Sequence, residues 1–265
     1  MPPTPPNLDA VLATLLRSHD RLASALTPLT EPQSNAPSYD DDWTIGQVAS
    51  HLGSGAEVFE LFLDAGVKQT PAPGVEQFQP VWARWNAKSG PEQVADVLRA
   101  DAAFADRLAA LSPEEKEQWR LDMFGSEQTL AGVLQMRLGE HALHTWDIAV
   151  ALDPAATVSD DAIALIIDRL PSLVERVGKP SPEPVRIRVT TTDPSREFLL
   201  DLTSDGARLE AADSVAVPGA TGQLRLTGEA FVRLIYGRLD PDHTPGSVAA
   251  EGVELDTLRH AFPGV

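Results

Sequence analysis

The sequence predicts a helical bundle followed by a small α+β domain, and three observations carry that prediction. A length of 265 residues suits two domains at roughly 100 to 200 residues each. Apolar residues recur at helical spacing up to residue 177 and then alternate in strand fashion from residue 185. Between the two patterns lies GKPSPEP (178–184), whose prolines mark a boundary. The expected organisation is a loose tail at 1–7, a bundle at 8–178 and an α+β domain at 185–265.

The elements follow in order. Leu8, Val11, Leu12, Leu15, Leu16, Leu22 and Leu26 give residues 8–28 one apolar helical face, after a Pro-rich start expected to be loose. Residues 29–42, rich in Pro, Ser, Asn and Asp, read as a loop. Thr44 with Gln47 three positions on makes a capping box, which opens a second helix running to about Ala65. Pro71, Pro73 and Pro80 then fill a connection ending in the aromatic cluster Phe78, Trp82 and Trp85. A third helix runs from Pro91 to about Leu111, where Pro113 forces a break. A fourth starts near Thr129 and runs through LAGVLQMRLGEHALHTWDIAVAL, stopping before Asp153-Pro154 because a residue preceding proline is pushed out of helical geometry. Residues 159–177 form one more amphipathic helix. Beyond the linker, VRIRVTTT (185–192), EFLLDLT (197–203), ARLEAAD (207–213) and QLRLTG (223–228) read as strands. Helices from about Glu229 to Tyr236 and from about Leu255 to Phe262 cover one face of that sheet.

Composition excludes several classes of function. With 43% hydrophobic and 23% charged residues the chain is an ordinary globular one. No apolar run approaches the ~18 residues a membrane span needs, and MPPTPPNLDA lacks the basic-then-apolar layout of a signal peptide, so a cytoplasmic protein with no membrane partner is expected. The 21 Lys and Arg against 39 Asp and Glu give a formal charge of −18, which repels a phosphate backbone and argues against nucleic acid as a partner. There is no cysteine, so any sulfur chemistry requires a thiol brought from outside.

Chemistry concentrates on the second and fourth helices. Glu140 and His144 are four residues apart, one turn along one face, and can grip one ion together. His51 lies in line with Val48, Leu52, Gly55 and Phe59, on the face expected to point into the bundle. Two imidazoles and a carboxylate from facing helices are the donor set of a catalytic zinc that keeps a fourth position open; nickel, iron or manganese would also accept it. Spacing alone leaves a hydrogen-bonded core or surface histidine as the alternative. Asp147 is either a carboxylate orienting a ligand histidine, or the salt-bridge partner of Arg137 or a solvated group. His141, about 100° round the helix from Glu140, is expected to pack elsewhere. Gly53 and Gly55 leave room for something to approach the helix closely.

Three segments carry a family resemblance: DDWTIGQVASHL (41–52), RLGEHALHTWDIAVALD (137–153) and GQLRLTGEAFVRLIYGRL (222–239). Together they resemble the mycothiol-dependent maleylpyruvate isomerase family, in which a DinB-like four-helix metal-binding bundle carries a C-terminal domain similar to a sterol-carrier protein. The resemblance runs over nearly the whole chain in the same order. It implies that His51, Glu140 and His144 bind a divalent metal, zinc or a similar ion, and that mycothiol is the thiol cofactor. It also implies that the metal-activated thiolate adds to an electrophilic small molecule, as in the cis-trans isomerisation of maleylpyruvate to fumarylpyruvate, or in thiol S-transfer if the thiol stays attached. Arg84, in VWARWN (81–86), is the candidate for an anionic group of cofactor or substrate. Phe78, Trp82 and Trp85 line the acceptor pocket or belong to the core. Arg233 and Arg238 either reach the cofactor or are solvated charges at a helix end, the second reading being favoured. Two other classes fit the same residues: a metal- and lipid-binding protein, and a zinc hydrolase using Asp147 or Glu57 as base.

Overall fold

The computed structural model describes residues 7–39, 42–123, 125–212 and 219–264. Residues 1–6 of the expected tail, Asp41 of the capping segment and Asp213 at the end of the third expected strand lie outside the described residues. The chain divides into two units, Met1–Thr157 and Val158–Val265.

The first unit rests on four long helices, α1 (Leu8–Leu26), α3 (Ile45–Lys68), α5 (Gly90–Ala109) and α7 (Leu130–Leu152), with α2 (Glu31–Ser34), α4 (Val75–Asn86) and α6 (Pro113–Gln118) between them. The most extensive packing is of α3 on α5 and of α1 on α7. Most of the expected apolar stripe residues are buried: Leu15 and Leu22 of α1, Val48 and Leu52 of α3, Val97 and Phe104 of α5 and Leu138 of α7 are all within 1% of full burial, whereas Leu16, expected on the α1 face, is 48% exposed. The Thr44 capping box opens α3 as expected, with Gln47 N bonded to Thr44 Oγ1 at 3.2 Å and Thr44 N bonded to Gln47 Oε1 at 2.8 Å.

Four features of this unit depart from the sequence reading: α2 lies in the stretch expected to be a loop, α6 follows the expected break at Pro113, and a further helix and a hairpin were not expected. The proline-rich connection contains α4, with Pro80 inside it. Proline removes one backbone bond there, but Val81 and Trp85 bury a face of the helix, and Gly74 N is held by Gln77 Oε1 at 2.9 Å. Between α6 and α7 lies an antiparallel hairpin, β1 (Arg120–Met123) and β2 (Ser126–Thr129), too short for its alternation to register.

In the second unit, β3 (Val185–Thr192), β4 (Arg196–Thr203), β5 (Gly206–Ala211), β6 (Gly222–Thr227) and β7 (Ala249–Glu251) form one sheet in the order β5-β4-β3-β6-β7. Only the β3–β6 pair is parallel. Four of these strands were expected, since Ile187, Val189 and Thr191 alternate inward as the pattern requires. β7 has three residues and no pattern to read.

The helical stretch before the linker belongs with this sheet rather than with the bundle. It is broken into α8 (Asp160–Ile166), a 3-10 turn (Ile167–Arg169) and α9 (Leu170–Val177), because Pro171 lacks the N–H that would continue the ladder. α9 packs on β5, and α8 and α9 pack against α10 (Gly228–Ile235). An amphipathic stripe announces a buried face without naming what covers it. The GKPSPEP run is likewise tied down within this unit, Lys179 N donating to Ala261 O and Ser181 N to Thr203 O, each at 2.8 Å. Ala261 closes the last helix, α11 (Leu255–Ala261). No helix among the described residues is long and apolar enough to cross a membrane.

Candidate metal centre

α7 begins at Thr129, whose hydroxyl accepts from Gly132 N at 3.2 Å, and its register then sets every side chain that follows. Glu140 and His144 stand one above the other on it, and α3 brings His51 alongside. His51 Nε2 lies 3.5 Å and His144 Nε2 3.8 Å from Glu140 Oε2. The rings of His51 and His144 are 4.4 Å apart, edge to face. Donor atoms at 2.0 to 2.1 Å from a tetrahedral ion are about 3.3 Å from one another, so the two separations at Glu140 are within about half an ångström of coordinating values, and all three donor atoms lie within 4.8 Å of one another. The three residues brought together are those the sequence nominated, and their chemistry fits a divalent ion.

Asp147 supplies the orientation. His144 Nδ1 donates to Asp147 Oδ2 at 2.8 Å, and Asp147 is 1% exposed. That bond places the ring proton on Nδ1 and leaves the Nε2 lone pair facing Glu140 and His51. Of the readings of Asp147, the solvated position is ruled out by its burial and the salt bridge to Arg137 is not formed. Arg137 pairs with Asp101 of α5 instead, at 2.9 Å.

The site is more open than the sequence suggested. The side chains of His51 and Glu140 are 38% and 44% exposed. The expectation that these groups point into the bundle holds only in part: Val133, Arg137, Asp147 and Ile148, on the same side of α7, are buried, but Glu140 and His51 themselves reach the surface. Glu140 and His144 sit at the edge of that face, where a small molecule can reach them.

Trp43, which spacing did not single out, closes one side. Its ring centroid is 5.5 Å from that of His51 and 6.3 Å from that of His144, nearly parallel to the latter. It precedes the Thr44 cap, so the signal that started the helix also positioned the tryptophan. Gly53 and Gly55 do admit a close approach, but by the protein's own side chains. A Cβ at Gly53 would meet the Trp85 ring at 2.1 Å, and one at Gly55 would meet Arg137 Nη1 at 2.7 Å. Trp85 is thus a core residue, 1% exposed, while Phe78 and Trp82 form an outer pair with Trp82 40% exposed.

Arg84 is paired with Glu57, which also accepts from Trp85 Nε1 at 2.8 Å. The pair leaves Arg84 side-chain exposure at 54%. Glu57 is committed to these partners, which weakens it as a base. Arg233 is not a solvated charge: it is 4% exposed, bound to Glu229 at 2.7 and 3.1 Å and to the carbonyls of Arg238 and His243. Arg238 donates to Tyr236 O at 2.8 Å.

A second group of donors, His19, Asp101 and His141, converges in the core from α1, α5 and α7. Burial pushes the pKa of His19 down to about 3 and that of His141 down as well. For Asp101 burial acts upward, but the hydrogen bond and charge of His141, with Arg137 and His19 nearby, outweigh it and hold the carboxyl well below its usual range. Sequence spacing could not find this group, because its members lie on three helices far apart in the chain.

Residues 15–149, just over half of the chain and including all three donors, match the family model described as the mycothiol maleylpyruvate isomerase N-terminal domain. The chain belongs to the mycothiol maleylpyruvate isomerase family. Among curated proteins none matches the sequence. Two crystal structures share the fold of this family member over nearly its whole length. One is the mycothiol-dependent maleylpyruvate isomerase, and the other is a mutant of it with one histidine replaced by alanine. Each is 12% identical, covers 94% of this chain and 95% of its own, and superposes with a TM-score of 0.69. At that identity the likeness establishes a shared mixed helical and sheet fold and nothing finer.

Proposed function

We propose that the protein is a divalent-metal- and mycothiol-dependent isomerase acting on maleylpyruvate or a similarly conjugated small acid, with the metal held by His51, Glu140 and His144. The observation that carries this reading is the convergence of those three donors, one of them oriented by buried Asp147, in a chain of this family. In the same reading the first unit is a DinB-like metal-binding bundle and the second resembles a sterol-carrier protein.

A bound zinc or similar ion supplies, when a thiol joins it, a lowered thiol pKa and hence a thiolate at neutral pH. The chain itself has no cysteine, so the sulfur comes from the cofactor. Its residues hold and orient. Asp147 keeps the Nδ1 proton of His144 in place. Trp43 gives an apolar wall beside the two imidazoles and limits water on that side. Arg84 is the proposed contact for a carboxylate of substrate or cofactor, exchanging Glu57 for the incoming anion.

The test is consumption of maleylpyruvate by zinc-loaded protein with and without mycothiol. Formation of fumarylpyruvate only when the thiol is present is expected. Accumulation of a stable thiol adduct instead would make the protein an S-transferase, and turnover that ignores the thiol would overturn the proposal in favour of hydrolysis.

A further inference from the structure

Arg137 is a buried charge one turn before Glu140, and its contacts lead to the backbone beside His51. Its Nη2 donates to Leu52 O at 2.8 Å and to Asp101 Oδ1 at 2.9 Å. Leu52 follows His51 in α3, so the first bond fixes the main chain of the turn that carries that donor rather than a side chain. The guanidinium crosses α3 at Gly55, where a Cβ would stand 2.7 Å from Nη1, and lies 5.7 Å from the Phe59 ring centre.

Asp101 extends the tie. Its Oδ2 accepts from His141 Nε2 at 2.9 Å, and His141 Nδ1 accepts from Ser18 on α1 at 2.8 Å. One carboxylate thereby connects α5 to α7 directly, to α1 through His141 and to α3 through Arg137. All four long helices meet in a single polar chain in the core.

The same donors do not make a second metal site. Arg137 already neutralises Asp101, so a divalent ion beside it would bring two uncompensated charges into a buried place. Buried ion pairs add little stability over a well-packed apolar core of the same volume. What this network does supply is a fixed rotation and height of α7 against α3. That is the quantity on which the 3.5 Å separation of His51 from Glu140 depends, whereas the His144–Glu140 separation is internal to α7.

We propose that Arg137, anchored by Asp101 and His141, is a positioning residue that sets the distance of His51 from Glu140 and His144 and thereby the affinity of the site for its ion. The inference rests on the metal reading above. Residues around a metal site that orient its ligands typically control affinity by about 10- to 100-fold.

The decisive variant is Gly55→Ala, which displaces the guanidinium while keeping every charge. Zinc affinity is measured by chelator competition, beside the d–d spectrum of the cobalt form and the melting of the metal-free protein. Expected is a metal-free protein that still folds cooperatively with a lowered melt, zinc binding weakened about tenfold or more, and an altered cobalt band. A double variant, Arg137→Met with Asp101→Leu, removes both charges together and is expected to fold and to show the same loss. Wild-type affinity and cobalt spectrum in either folded variant would overturn the inference. So would zinc retained in His51→Ala and lost in His19→Ala, which would place an ion in the core. A wild type that binds no zinc would instead overturn the metal reading itself.

Discussion

Asp147 shows how one buried side chain can decide what its neighbour does. Its carboxylate holds the Nδ1 proton of His144 at 2.8 Å, and with it the direction of the Nε2 lone pair. Replacement by Asn keeps the shape but removes the charge that makes the imidazole a better donor. Asp147→Asn is expected to weaken zinc binding by about 10- to 100-fold with the fold retained, as read by chelator competition and circular dichroism; unchanged affinity would remove Asp147 from the site. At this scale the sequence was informative where chemistry is local. Glu140, His144 and Asp147 lie within two turns of one helix, and their spacing alone puts them near one another. His19, Asp101 and His141 come from separate helices, and no spacing rule joins them.

Elements were legible where a single periodicity ran without interruption, and illegible where proline interrupted it. α1, α3, α5, α7 and strands β3 to β6 all lie near the expected bounds. α4 was hidden by Pro80, because local propensity argues against a helix that tertiary burial of Val81 and Trp85 sustains. Pro80 is exposed and sits in the middle of that helix. Pro80→Ala is therefore expected to raise stability by about 1 to 3 kcal/mol through the regained hydrogen bond and better helix propensity. The urea midpoint measures it, and a lower midpoint would mean that Pro80 limits the unfolded chain more than it strains the helix. The boundary between units was misplaced for a related reason: the stripe on α8 and α9 is real, but only the structure assigns it to the sheet of the second unit.

For the molecule as a whole, acid is the condition that tests the buried polar core of the first unit. His19 is nearly buried and neutral, with its pKa pushed down to about 3 from an ordinary 6.5. Above pH 6.5 it is neutral folded or unfolded and contributes no pH dependence. As pH falls below 6.5 only the unfolded chain takes up the proton, so stability declines. One such group costs about 2 kcal/mol between pH 7 and pH 5. His141 acts in the same direction, while the contribution of Asp101 is present above pH 3.8 and is lost only below it. Metal-free protein is expected to lose urea resistance steeply from pH 7 to 5, and His19→Leu to flatten that slope. Equal slopes in both would mean that the core histidine takes up its proton without cost.

The central claim is that a divalent ion binds where α3 and α7 bring His51, Glu140 and His144 together. Metal content by elemental analysis, on purified wild type beside His51→Ala and His144→Ala, tests it most directly. The account predicts about one ion per chain in the wild type, in keeping with one three-donor site, and loss of that ion in both variants. A wild type that is metal-free and cannot be reconstituted, or variants that keep a full complement, would contradict it.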